Sequence, residues 1–399
     1  MSVGTVRAGD DLNGYRLLDD FRVVGAGLSE WTFAERGGRV YFLKRFLSPT
    51  YPDDAAPGSE KTKARKRARC AAFEAHHRGI QAAMAPLTSY GGNLIATLDF
   101  FRSGAKYYKV TEKVDLAGLE PSHVASLGFP SQLVLLKTVA HSLKILHDLE
   151  IVHSDLKPSN VMIKKTELGY TTKLIDFDSS YIVGNPPPPE DIVGTMNYYS
   201  PELVRYIQGA AGPDELTQAS DIFALGLIYA EYLTGVPPEL GPGQNTAAIA
   251  VLNARTLQVR PGSAPESVIA LVDRMLLLDP SARPTVAEVH STLMGLRSPG
   301  STTARAPLPA GSARRPVRLG APDADRPTGT TAARPARPRA SAAVDSVVTR
   351  GAPHASTLRG KGLRLAAGVV RPAPDAPPPS GGRALLGKLI DRLEERRAP

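Results

Sequence analysis

Ile151-Val152-His153-Ser154-Asp155-Leu156-Lys157-Pro158-Ser159-Asn160-Val161 is followed, fifteen positions after Val161, by Asp176-Phe177-Asp178. Asp155 stands in a turn-forming stretch two residues before Lys157, and Asn160 follows five residues after it. Asp176 comes directly after the run Lys173-Leu174-Ile175. A base to orient a hydroxyl, a cation beside a moving phosphoryl group and two oxygen ligands for Mg²⁺ are the groups that phosphoryl transfer requires. The competing explanation is a loop that satisfies its own polar groups and carries no chemistry.

The 399 residues suffice for one large domain and a tail, or for two or three domains. The net charge of +9 is uneven. Residues 301–399 hold 18 Lys and Arg against 7 Asp and Glu, whereas residues 1–300 hold 30 against 32. The basicity therefore belongs to the tail and predicts no nucleic-acid face on the folded part. A single cysteine, Cys70, rules out an internal disulfide and suits a reducing compartment. Met1 to Asp11 shows no secretory apolar core, and no run of eighteen apolar residues occurs, so the expectation is a soluble cytoplasmic protein.

Along the chain, residues 15–46 read as three strands: Tyr15 to Val24, Trp31 to Ala34 and Val40 to Phe46, with a tight turn at Gly25-Ala26-Gly27 and a hairpin turn at Arg36-Gly37-Gly38-Arg39. Glycines at 25 and 27 let backbone amides approach phosphates. Lys44 lies inside the third, apolar strand. After a loop over 47–58, residues 59–84 read as one helix with a basic first half, Lys61 to Arg69, which opposes the helix dipole. Strands are expected over 93–101 and 105–114, and a buried helix over 131–149 from the apolar spacing of Leu133, Leu136, Val139, Ala140, Leu143 and Leu146. His141 and His147 on that helix read as structural. Residues 297–382, rich in Pro, Ala, Arg, Gly, Ser and Thr, cannot bury enough apolar area to fold, and read as a disordered linker. Residues 383–397 read as a short amphipathic helix with one leucine-rich stripe.

The first motif resembles the H-x-D-L-K-P-x-N loop of eukaryotic-like, Hanks-type Ser/Thr protein kinases, with a bacterial source expected, and Asp176-Phe177-Asp178 is similar to their D-F-G triplet. The order of further motifs strengthens the resemblance over residues 15–296. Gly25 and Gly27 with Lys44 resemble the phosphate-covering loop and strand lysine. Ser200-Pro201-Glu202 resembles A-P-E. Asp221 to Gly226 resembles D-x-x-x-x-G, and Leu278 to Thr285 the closing arginine motif. The resemblance implies an α+β, bilobal protein-kinase-like fold: a small antiparallel β lobe with one helix over 15–114, and a larger helical lobe over 115–296. Residues 1–14 form an N-terminal extension.

By the same resemblance ATP is the donor and Mg²⁺ the metal, held by Asn160 and Asp176. Asp155 accepts the substrate proton, Lys157 neutralises the γ-phosphoryl, and Thr195 bonds both. Lys44 grips phosphates and is aimed by Glu74, while Thr111 guards a back pocket and the backbone from Glu112 to Val114 meets adenine. Glu202 pairs with Arg283, and Asp221 braces the loop. Three positions depart from the family. Glu30 replaces a third glycine, Ser154 replaces an arginine that receives a loop phosphate, and Asp178 replaces the triplet's glycine. The implied partner is a protein substrate; for the basic tail and C-terminal helix it is an acidic partner or a membrane surface. Two rivals stand beside the kinase. A small-molecule phosphotransferase shares Asp176-x-Asp178, and a pseudokinase scaffold is suggested by Glu30 and Asp178.

Overall fold

The computed structural model describes residues 6–24, 29–53, 58–90, 92–114, 119–167, 169–259, 262 and 264–296. Gly25 and Gly27, the linker 297–382 and the amphipathic stretch 383–397 lie outside them.

The small lobe is a seven-stranded antiparallel sheet among the described residues. Its strands are β1 (Asp11–Leu12), β2 (Tyr15–Leu17), β3 (Arg22–Val24), β4 (Ser29–Arg36), β5 (Arg39–Phe46), β6 (Asp99–Ser103) and β7 (Lys106–Glu112). The order is β1-β2-β4-β5-β7-β6, with β3 also paired to β4. The single strand expected over 15–24 is broken at Leu18-Asp19-Asp20-Phe21. Aspartates suit strands poorly, and these two serve the surrounding loop: Asp20 accepts from the Ala8 amide at 2.8 Å, and the Asp19 carbonyl accepts from Thr32 Oγ1 at 2.7 Å. The extension predicted before residue 15 contributes β1 to this sheet. The strand expected from residue 93 begins only at Asp99.

Helix α1 (Glu60–Met84) starts where Ser59 accepts from the Thr62 amide. Glu60 pairs with Lys63 and Arg67, which offsets part of the basic first half. The helix buries Cys70, His77, Ile80 and Met84. His77 lies among Phe46, Phe73 and Phe100, with ring centroids 4.3–5.0 Å away. Burial pushes its pKa down to about 3. Between pH 6.5 and 3 the unfolded chain therefore binds a proton that the native chain refuses, and stability falls as pH drops through that window. His77→Leu should flatten the acid limb of a urea-midpoint profile by up to about 1.4 kcal/mol per pH unit. An unchanged limb would contradict a neutral, buried imidazole.

The large lobe begins with α2 (Pro121–Ala125) and α3 (Phe129–Asp148). It continues through β8 (Ile151–Val152), β9 (Val161–Thr166), β10 (Gly169–Leu174) and β11 (Tyr181–Ile182), then α4 (Pro201–Ile207), α5 (Ala219–Thr234), α6 (Ala247–Leu252), α7 (Glu266–Met275) and α8 (Val286–Gly295). α5 is apolar on nearly every face and buried almost throughout, as its composition requires. α3 packs on α8 and β10, and α5 on α7. The α5–α7 approach is close at Gly226, where a Cβ would lie 2.9 Å from Leu276 Cδ2 and 3.0 Å from Met275 Cβ. The hairpin β9–β10, and the antiparallel pair β8–β11 that brackets it in the chain, bring the loops after β8 and β10 side by side. Among the described residues no helix is long and apolar enough to cross a membrane.

Candidate active site

The loop after β8 is fixed from beneath. Asp221, buried at the start of α5, accepts from the amides of His153 at 2.7 Å and Ser154 at 2.9 Å, and from His147 Nε2 at 3.0 Å. His147 thus holds the bracing carboxylate. Ser154 adopts φ of +67°, a left-handed conformation that costs free energy for a non-glycine residue. The bond to Asp221 holds it there. The next side chain, Asp155, faces Lys157, Asn160 and the Thr195 amide.

The Asp155 side chain is mostly covered, 12% exposed, and held on both oxygens. Oδ1 accepts from the Thr195 amide at 3.1 Å; Oδ2 accepts from Lys157 Nζ at 2.7 Å and from Asn160 Nδ2 at 3.2 Å. Lys157 also donates to Thr195 Oγ1 at 2.9 Å. Asp155, Lys157, Asn160 and Thr195 therefore form one connected group, although 35 residues separate Asn160 from Thr195. Gly194 allows the approach: a Cβ there would lie 2.8 Å from Tyr199 Cε1, 3.0 Å from Tyr199 Oη and 3.3 Å from Asp155 Oδ1. Tyr199 is buried and cannot swing aside. Gly194→Ala should displace Thr195 from Asp155 and lower turnover at least about tenfold, since ångström-scale misplacement of positioned groups is costly. Initial rates at saturating substrate check it; an unchanged rate would contradict the packing.

The triplet is locked to this loop. His153 Nε2 bonds the Ile175 carbonyl at 3.0 Å, Ile175 donates its amide to the Asn160 carbonyl at 3.1 Å, and buried Phe177 packs on the His153 ring. Asp176 adopts φ of +63°, with its carboxylate partly exposed. Asn160 spends its Nδ2 on the Asp155 carbonyl at 2.8 Å, as well as on the side chain, which leaves Oδ1 to accept. An amide oxygen and a carboxylate on adjoining segments are hard donors of the kind Mg²⁺ takes, with waters and substrate phosphates completing its sphere. Asn160 and Asp176 thus fit that ion. No cluster of three or more His, Cys, Asp or Glu suited to a metal occurs among the described residues.

Lys44 does not meet Glu74. Its Nζ donates to Asp176 Oδ1 and Oδ2 at 3.1 Å and to Asp178 Oδ2 at 2.6 Å. Glu74 instead accepts from Tyr107 Oη at 2.7 Å. The face of α1 turned to the triplet carries His76, whose Nε2 bonds the Asp178 carbonyl at 3.1 Å. The expected Lys44–Glu74 pair is therefore corrected. In its place a second lysine, Lys109 on β7, directly opposite Lys44 on β5, donates to Asp176 at 3.3 Å and to Asp178 Oδ1. Burial pushes the Asp178 carboxyl up, but Lys109 and Lys44 together hold it well below the usual carboxylate range. Desolvation pulls Lys44 down, and Asp178 and Asp176 more than reverse this, so its pKa is raised.

Other expected residues are distributed as follows. Glu112 ends β7, and its carboxylate accepts from Lys173 at 2.7 Å; Val114 is the last described residue of that segment. Thr111 is buried one residue earlier. Glu30 is neutralised by Arg45, which lies over the Phe21 ring and donates to the carboxylate from Nε at 2.7 Å. Lys109, His76 and Tyr107 were not singled out in the sequence. Lys109 had a signal, a cation inside the apolar run Tyr107-Tyr108-Lys109-Val110.

An antiparallel β lobe, a helical lobe, and a cleft where two lysines face two aspartates beside a braced carboxylate loop define a bilobal, protein-kinase-like fold. Residues 69–293, more than half of the chain, match the family model described as Protein kinase domain; the chain belongs to the protein kinase family. The match begins inside α1, so β1–β5 and Lys44 take their place in the lobe from the structure itself. The chain is similar to Aurora/IPL1-related protein kinase 2 of Caenorhabditis elegans, 28% identical over 209 residues, 51% of this chain and 64% of that protein. It is similar to Serine/threonine-protein kinase 17A of Oryctolagus cuniculus, 27% identical over 156 residues, 39% of this chain and 38% of that protein. It is similar also to Serine/threonine-protein kinases drp72 of Corynebacterium efficiens, 32% identical over 158 residues, 39% of this chain and 28% of that protein. The chain thus spans 28–64% of the length of these relatives, which come from animals and a bacterium alike.

Proposed function

We propose that this chain is an ATP-dependent protein kinase that transfers the γ-phosphoryl group to Ser and Thr hydroxyls of protein substrates, itself included, with its kinase domain over residues 15–296. The observation that carries the reading is the Asp155 carboxylate held by Lys157, Asn160 and the Thr195 amide at the lip of the cleft. Asp155 accepts the proton of the attacking hydroxyl. Lys157, in contact with both Asp155 and Thr195, neutralises charge on the transferred group. Lys44 gives up its contact with Asp176 to grip the nucleotide's phosphates, and the backbone from Glu112 to Val114 receives the adenine. Asn160 and Asp176 hold Mg²⁺, which when bound screens the phosphate oxygens.

The segment from Ser179 to Glu202 supports a macromolecular rather than a small-molecule acceptor. It is anchored at its far end by the Glu202–Arg283 pair and carries Thr195 to the catalytic carboxylate. The two departures that suggested a scaffold without catalysis, Glu30 and Asp178, are both ion-paired. The relatives' printed names support Ser/Thr specificity. A single, buried Cys70 suits a cytoplasmic location. Incubation of the full chain with Mg²⁺, [γ-³²P]ATP and a generic basic protein, followed by acid hydrolysis, tests the reading. Labelled phosphoserine and phosphothreonine are expected. Label on tyrosine alone, or only on an added aminoglycoside or choline, would overturn it.

A further inference from the structure

Lys44 and Lys109 occupy directly opposed positions on β5 and β7, with their ammonium groups converging on the same two aspartates. Two like charges facing each other across a strand pair destabilise it unless counter-ions intervene. Lys109 is nearly buried, its side chain only 6% exposed, so its charge has little access to water. Asp178 answers both: Oδ2 accepts from Lys44 at 2.6 Å, while Oδ1 accepts from Lys109. α1 offers no alternative. Glu74 is engaged by Tyr107, Glu60 lies in the exposed first turn, and these are the helix's acidic residues. The side chain that α1 brings to the triplet, His76, meets the backbone carbonyl of Asp178 and not Lys44.

We propose that Asp178 is the positioning residue for Lys44. One carboxylate oxygen aims the phosphate-gripping lysine, and the other neutralises Lys109, which reaches Asp176 as well. The counter-ion that aims Lys44 is therefore carried by the segment after β10, not by α1. α1 meets this counter-ion segment only through His76 and the Asp178 carbonyl among the contacts described. This rests on the phosphoryl-transfer reading of the cleft and deepens it.

The test uses the full chain and follows KM for ATP, kcat and thermal midpoint for three variants. Asp178→Asn keeps the shape and removes the charge. It should raise KM for ATP at least about tenfold, the value of a charge-assisted hydrogen bond, and lower the midpoint. Glu74→Gln should leave KM within about twofold. In Lys109→Met/Asp178→Asn the stranded ammonium is gone, so the midpoint should recover while KM stays raised. A purely structural Lys109–Asp178 pair predicts instead that KM and midpoint recover together, and that result would overturn the proposal. So would an unchanged KM in Asp178→Asn, or a raised KM in Glu74→Gln. Should the wild-type chain transfer no phosphoryl group, the proposed function fails. Calorimetric affinity for Mg·ATP then reads the role of Asp178 by itself: weakened binding in Asp178→Asn supports it, and equal binding overturns it.

Discussion

Asp155→Ala should lower kcat by about 10²–10⁴, the range for a positioned acid–base group, or roughly 3–5 kcal/mol of barrier. Affinity for Mg·ATP and thermal stability should stay close to wild type. The contrast follows from how the loop is built. Asn160 keeps its bond to the backbone carbonyl of residue 155 when the side chain goes, and Lys157 keeps Thr195. The loop's conformation is set by Asp221 through the amides of His153 and Ser154, and neither bond involves the deleted carboxylate. What disappears is the acceptor that Thr195 and Lys157 orient. Initial rates with saturating peptide, alongside a nucleotide titration, check the split. A kcat within about threefold of wild type would show that the carboxylate is not the base.

Arg283→Ala should destabilise the large lobe by about 3–5 kcal/mol, the usual loss when one partner of a buried ion pair is removed. Arg283 and Glu202 are both buried, in a two-pronged contact at 2.8 and 2.9 Å. Arg283 also donates to the carbonyls of Leu277, Leu278 and Ala219, and its guanidinium lies 5.0 Å from the Phe223 ring centre. Among the described residues' side chains, Glu202 would retain Ser220 Oγ, at 2.7 Å. Glu202 is also the second residue of α4, so its displacement loosens the end of the segment that carries Thr195. The pair's effect should be non-additive: Arg283→Met combined with Glu202→Leu should regain most of the loss, since no charge is then stranded. Urea unfolding of the two singles and the double checks this, and an additive double would contradict it.

The loop after β8 was legible in the sequence because the chemistry proposed for it calls for particular residue types at particular spacings. Asp155, Lys157 and Asn160 lie within six residues, and their mutual contacts follow from one tight turn. Glu202 and Arg283 were legible for a similar reason, since each lies in a short motif. The partner of Lys44 was not. Whether a helical residue meets a given strand depends on the rotation of the helix against the sheet, and each residue step turns a helix by about 100°. The resemblance pointed to Glu74, since Glu60 lies at the start of α1; packing of Phe73 and His77 against Phe46 and Phe100 sets the rotation and directs Glu74 to Tyr107. The same rotation brings His76 to the triplet. Lys109 carried the cue that singled out Lys44, a cation in an apolar strand, but its meaning needed the cross-strand register. Gly226 and Gly194 gained their reasons only from what packs against them, Leu276 in one case and Tyr199 in the other.

The account stands on a nucleotide site built from Lys44, Asn160 and Asp176, and calorimetric titration of ATP into the full chain addresses it most directly. With Mg²⁺ present, wild type should bind one nucleotide saturably, and Asp176→Ala should lose that binding. No binding by wild type, or equal binding by Asp176→Ala, would contradict the account.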